Sequence, residues 1–143
     1  MFIGEYHHTL DDKGRLAIPV KFRASFEEGL VVTRGLDRSL FLYTRSEWQK
    51  LAEKLASLPL GQADTRAFAR LMLAGAMEVS LDASGRVLVP EYLRAYAGIN
   101  KGVVVVGLYN RCEMWDEETW KTYARETELH GNEIAERLGG LGM

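Results

Sequence analysis

Two short constellations in this chain could do chemistry: Asp11-x-x-x-Arg15, with Lys13 between, and Asp82-x-x-x-Arg86. An aspartate four residues before an arginine, with Gly14 or Gly85 in the turn, can cap the loop and hold the guanidinium. The structural reading is a turn carboxylate paired with an arginine at the start of the next strand, worth little if exposed. The functional reading is a pair of arginines on rigid turns, each oriented by a carboxylate and suited to phosphates or the two-acceptor edge of guanine. Other chemistry has little to stand on. His7 and His8 are neighbours on an extended segment, so they point to opposite faces and are poor partners for one metal. The lone Cys112 sits in an apolar stretch where a small buried hydrophobe is the common role. Neither a phosphate-cradling glycine loop nor a Ser/His/Asp or Cys/His signature is present, so no catalytic residue, metal or cofactor is expected.

The elements that must position these arginines occur twice. "LDDKGRLAIP" at Leu10–Pro19 returns as "LDASGRVLVP" at Leu81–Pro90, 71 residues later, and Gly35, Leu36 and Trp48 are answered by Gly107, Leu108 and Trp120 at a spacing of 72. A repeated order with one inserted residue is the mark of a duplicated unit. In the first copy Ile3–Leu10 and Arg15–Ile18 read as two strands forming a hairpin around Asp11–Gly14. Pro19 then opens a short helix to about Phe26, and Leu30–Thr33 and Ser39–Tyr43 are two further strands. The second copy repeats this with Ala76–Leu81, Arg86–Val89, a helix from Pro90 toward Tyr96 stopped by Gly98, Val103–Leu108 and Cys112–Trp115. Val103–Val106 is apolar enough to be buried on both faces. Ser46–Gln49 reads as a capping box for a helix carrying Trp48, Leu51, Ala52 and Leu55 on one face. Asp116 caps the equivalent helix, whose stripe is Trp120, Tyr123 and Ala124. A further helix spans Asp64–Leu73, and the tail after His130 is expected to fray, or alternatively to dock on a neighbour.

The expected organisation is α+β: a first module at residues 5–47, connecting helices at 48–75, a second module at 76–119, and a C-terminal helix and tail at 120–143. At 143 residues the two units are too small to be comfortable apart, so they are expected to pack intimately. The 18 Lys/Arg and 20 Asp/Glu give a net charge of −2, which excludes a uniformly basic coat. The charge is uneven: residues 1–75 carry eleven basic against nine acidic side chains, and residues 76–143 carry seven against eleven. A polyanion would be drawn to a local arginine face and repelled by the tail. Arg34, Arg38 and Arg45 are candidates to extend that face. No apolar run is long enough to cross a membrane and no signal peptide is visible, so no membrane partner is expected and the chain is expected in the cytoplasm.

The segments "GEYHHTLDDKGRLAIP" and "SLDASGRVLVP" resemble the MraZ family, which carries two tandem AbrB-like modules, each with an Asp-x-x-x-Arg signature. The resemblance covers essentially the whole chain. It implies a fold in which two AbrB-like, β-rich modules pack as an intramolecular pseudo-dimer with flanking helices. It further implies a transcriptional regulator of its own operon in the division and cell-wall gene cluster, associated with the nucleoid. Its implied partners are double-stranded DNA, at short direct repeats in the promoter, and copies of itself in a ring-shaped homo-oligomer. Carried onto this sequence, the DNA-contacting residues are Arg15 and Arg86, with Lys13 in support and Asp11 and Asp82 orienting the arginines. Ala83-Ser84 stand where the first copy has Asp12-Lys13, so Arg15 is expected to matter more than Arg86. Two alternatives stay open on the residues alone: a protein-interaction module whose arginines meet acidic partners, and a small-molecule enzyme on a barrel-like core.

Overall fold

The computed structural model describes residues 1–142. Its first half runs β1 (Phe2–Thr9), β2 (Arg15–Ala17), α1 (Val20–Arg23) extended by a 3-10 turn at Ala24–Phe26, β3 (Leu30–Arg34), β4 (Leu40–Thr44), α2 (Arg45–Ala56) and α3 (Ala63–Ala69) with a π-turn at Arg70–Ala74. The second half runs β5 (Met77–Val79), β6 (Arg86–Leu88), α4 (Glu91–Ala97), β7 (Gly102–Tyr109), β8 (Cys112–Asp116), α5 (Glu117–Leu129) and α6 (Gly131–Arg137). Pro19 and Pro90 stand one residue before α1 and α4, where the missing N–H costs nothing. Gly98 ends α4 in the left-handed region at φ 65°.

Six strands form one antiparallel sheet in the order β1-β7-β8-β4-β3-β5, and β2 and β6 form a separate two-stranded ribbon. The expected β1–β2 hairpin does not form. All eight residues of β1 pair with β7 of the other copy, β5 pairs with β3 of the other copy, and β2 pairs with β6. An eight-residue strand satisfies its backbone groups on an equally long partner, which three-residue β2 cannot offer. The two copies are therefore interleaved, and neither keeps its own edge strand.

Alternation along the strands sends Leu30, Val32, Leu40, Leu42, Val103, Val105, Cys112 and Met114 to one face of the large sheet. There they meet Leu16, Ile18, Val87 and Val89 from the ribbon strands and the residues just beyond, with Phe22 and Leu93 from α1 and α4, in one core. Phe2 joins it by stacking on Phe26 at 5.0 Å, which ties the first strand to the helix of its own copy. The opposite face is covered in two halves. Phe41 and Tyr43 pack beneath α2 with Trp48, Leu51, Leu55 and Met72, while Val104 and Val106 pack with Trp115 beneath Trp120 of α5. All four valines at 103–106 are buried, as their unbroken apolar run implies.

Two helix details depart from the sequence reading. The cap of α2 is Thr44, whose hydroxyl accepts from the Glu47 N–H at 3.2 Å, so the effective Thr-x-x-Glu begins two residues before Ser46. Asp116 does cap α5, accepting from the Thr119 N–H at 3.1 Å. The tail continues as α6 rather than fraying, although its helix buries no residue, and the final position of the 120–143 segment lies outside the described residues. Among the described residues no helix is long and apolar enough to cross a membrane.

Candidate nucleic-acid interface

Each Asp-x-x-x-Arg segment closes a tight turn by the same hydrogen bonds. Asp11 Oδ1 accepts from the backbone N–H of Lys13 and of Arg15, both at 2.9 Å, and Oδ2 takes Arg15 Nε at 2.7 Å. In the second copy Asp82 Oδ1 accepts from the N–H of Ser84 and of Arg86 at 2.9 Å, and Oδ2 takes Arg86 Nε at 3.0 Å. Gly14 and Gly85 sit in these turns at φ +79° and +77°, a region that suits glycine. Both carboxyls are held below the ordinary aspartate range, chiefly by the backbone N–H of Arg15 for Asp11 and of Arg86 for Asp82. Each carboxylate thus closes its own turn and holds the Nε of its own arginine, which fixes the guanidinium.

The ribbon brings the two turns together. In its register Arg15 lies opposite Leu88, Leu16 opposite Val87, and Ala17 opposite Arg86. Leu16 and Val87 enter the core, so Arg15, Ala17, Arg86 and Leu88 share the outward face. The copies are joined by reciprocal hydrogen bonds, Ile18 N–H to Gly85 C=O and Val89 N–H to Gly14 C=O, each 3.0 Å. Across this axis Arg86 Nη1 reaches Asp11 Oδ2 at 3.5 Å, so one carboxylate serves both arginines. Both arginine side chains remain about one-third exposed, 32% and 34%. The side chain of Lys13 lies at an exposed position of the first turn, where the second copy has Ser84.

Two supporting residues have roles that spacing alone did not reveal. Arg23 Nε donates to Ile18 C=O at 2.9 Å and Arg94 Nε to Val89 C=O at 3.0 Å. Their guanidiniums fill the space where a Cβ would stand on the opposite copy's turn glycine, Arg23 over Gly85 and Arg94 over Gly14. Each helix arginine therefore braces the other copy's Asp-x-x-x-Arg turn. Their recurrence at the 71-residue offset was the available signal.

The remaining candidates lie apart. Arg34 stands over the Tyr92 ring, 5.9 Å from its centroid, and Arg45 pairs with Glu78 at 3.5 Å, and the two occupy opposite ends of the β3–β4 hairpin. Arg38 lies at the hairpin turn, lining an open groove of about 700 Å³ with Trp115 and Tyr123. The carboxylates of that groove, Asp37, Glu118 and Glu126, are exposed. His7 contacts Glu5 at 2.9 Å, whereas half-buried His8 points the other way and is held below its ordinary pKa by burial first, then by Arg23 and His7. Cys112 is fully buried, and burial pushes its thiol up to about 12.

A family model described as "MraZ protein, putative antitoxin-like" matches residues 1–71 and again residues 72–140, two segments that meet where the internal repeat turns over. The chain is also 47% identical to the "Transcriptional regulator MraZ" of Caldanaerobacter subterraneus subsp. tengcongensis, over 143 residues that make up the full length of both chains.

Proposed function

The chain belongs to the MraZ family of transcriptional regulators, and on that premise we propose that it binds double-stranded DNA through the outward face of the β2–β6 ribbon. It is a regulator rather than an enzyme. Arg15 and Arg86 are the contacting residues, Lys13 adds charge beside Arg15, and Asp11 and Asp82 orient the guanidiniums. The target is a set of short direct repeats upstream of its own operon, in the division and cell-wall gene cluster.

The observation that carries this reading is the single arginine-bearing face made by two copies of one turn, with Arg15 and Arg86 both anchored at Asp11. A two-stranded ribbon is one of the elements that B-DNA's major groove, about 12 Å wide, admits. Fixed arginines match the acceptor pair on guanine, and an arginine held in advance loses less freedom on binding. One such face on a chain of net charge −2 is weak. Self-association into a ring answers this, because several faces engaging regularly spaced repeats gain affinity through effective concentration. The acidic helices α5 and α6 would then be turned away from DNA, in keeping with their repulsion of phosphate.

Fluorescence anisotropy on the chain's own upstream DNA and on scrambled DNA of equal length, across salt, tests the proposal. The native DNA is expected to bind more tightly. Arg15→Ala should remove the preference and make the log–log salt slope shallower by about 0.9 for each phosphate that is no longer neutralised. Equal binding to both DNAs, unaffected by the substitution, would replace this reading with a protein-interaction module.

A further inference from the structure

The ribbon's outward face repeats its arginine in each copy but differs at the position two residues further along each strand. Ala17 and Leu88 are the same position in the two copies, separated by the 71 residues that separate Arg15 from Arg86. One is the smallest side chain with a Cβ; the other is a leucine 54% exposed. Single exposed leucines are common on surfaces and by themselves mean nothing. This one stands on a rigid strand directly opposite Arg15, while its neighbours Val87 and Val89 are buried at 1% and 0%. It is not part of the core cluster, and it holds an apolar group across from Arg15 and two residues along the strand from Arg86, both of them held by carboxylates.

Of the groups that base pairs present in the major groove, one is apolar: the C5 methyl of thymine. We propose that Leu88 is a specificity residue that covers thymine methyl groups beside the bases met by the arginines, and that the Leu88/Ala17 difference fixes the direction in which each protomer sits on its site. This rests on the DNA-binding reading above and deepens it. A two-fold symmetric reader suits a palindrome and accepts either orientation equally. Repeats that all run one way need a reader with a marked end. Leu88, lying on the second copy's strand opposite Arg15, marks the end that also carries exposed Lys13, whereas Ala17 and Ser84 lie at the other end.

The test uses the full chain and its own upstream DNA, amplified with either thymidine or deoxyuridine nucleotides, so that every thymine methyl is present or absent. Wild type is expected to lose about fourfold in affinity for each methyl that Leu88 covers when the methyls are removed. Leu88→Ala, which makes the face symmetric with Ala17, should bind thymine DNA more weakly than wild type and show no further loss on uracil DNA. Leu88→Met, which keeps an apolar group there, should retain the discrimination. The proposal is overturned if uracil weakens wild type and Leu88→Ala equally, or weakens neither. In both those cases wild type would still prefer its upstream DNA to scrambled DNA, leaving the regulator reading in place, whereas loss of that preference in wild type brings both down. A reduced assembly mass for Leu88→Ala by light scattering, with parallel weakening on both DNAs, would instead assign Leu88 to a subunit interface and overturn its role in base reading.

Discussion

Asp11 of the first repeat and Arg86 of the second lie 3.5 Å apart across the pseudo-two-fold axis, on the carboxylate oxygen that also holds Arg15. Among the described residues the reciprocal pair, Asp82 with Arg15, does not form. The two signatures are thus alike in sequence and unequal in structure: Asp82 supports one arginine, and Asp11 supports two.

That inequality predicts an order of effects. Asp11→Asn should weaken DNA binding more than Asp82→Asn, because it loosens both guanidiniums. The pairs themselves are solvent-exposed and contribute little to folding, so thermal stability should change little in either variant. Anisotropy on the upstream DNA, with a melting curve for each protein, checks the ranking. Equal weakening in the two variants would remove Asp11 from its shared role.

Acid should act through the same carboxylates. Their folded pKa values lie below the ordinary value, mainly through backbone N–H donors. Such groups contribute stability that is complete above the unfolded aspartate pKa of about 3.9 and is lost as pH falls through the lower folded value. Denaturant midpoints followed from pH 5 downward, on the order of the range where aspartates titrate, should fall more steeply for wild type than for the Asp11→Asn/Asp82→Asn double variant. Parallel curves would show that the turns carry no linkage.

Gly107 is where the two copies press backbone on backbone. A Cβ there would lie 2.5 Å from the Ile3 nitrogen and 2.7 Å from the Phe2 carbonyl carbon, on the strand that β1 lends to the other copy. Since main chain cannot swing aside, Gly107→Ala should cost about 1–3 kcal/mol through overpacking, lowering the melting temperature by several degrees. Gly61→Ala, in open space, is the control. A Gly107→Ala protein as stable as this control would mean that β1 can shift without loss.

Cys112 should behave as a hydrophobe rather than a thiol. It is fully buried with its pKa raised to about 12 by burial, so almost no thiolate exists near neutrality. A colorimetric thiol reagent should react with the native protein only as fast as it unfolds, and stoichiometrically in denaturant. Rapid reaction under native conditions would show that the β4–β8 centre of the sheet opens locally.

Much of the fold was legible because its determinants are local. Pro19 and Pro90 start helices by geometry, Gly98 stops one by its freedom at positive φ, Asp116 caps α5 with its own side chain, and the Val103–Val106 run leaves no polar face to expose. The Asp-x-x-x-Arg turns close through bonds spanning at most four residues, so the site residues and their carboxylate partners could be read from spacing. Tertiary structure decided which strands pair. Because the copies are alike, each first strand meets nearly equivalent partners in its own copy and in the other, and local hydrogen bonding does not separate the two. The choice follows from strand length and from what becomes buried when Leu16 faces Val87 and eight residues of β1 cover eight of β7. From that interleaving come the features sequence alone did not reveal: the sharing of Asp11 by Arg15 and Arg86, the bracing of each turn by the opposite copy's helix arginine, and the outward leucine at one end of the ribbon.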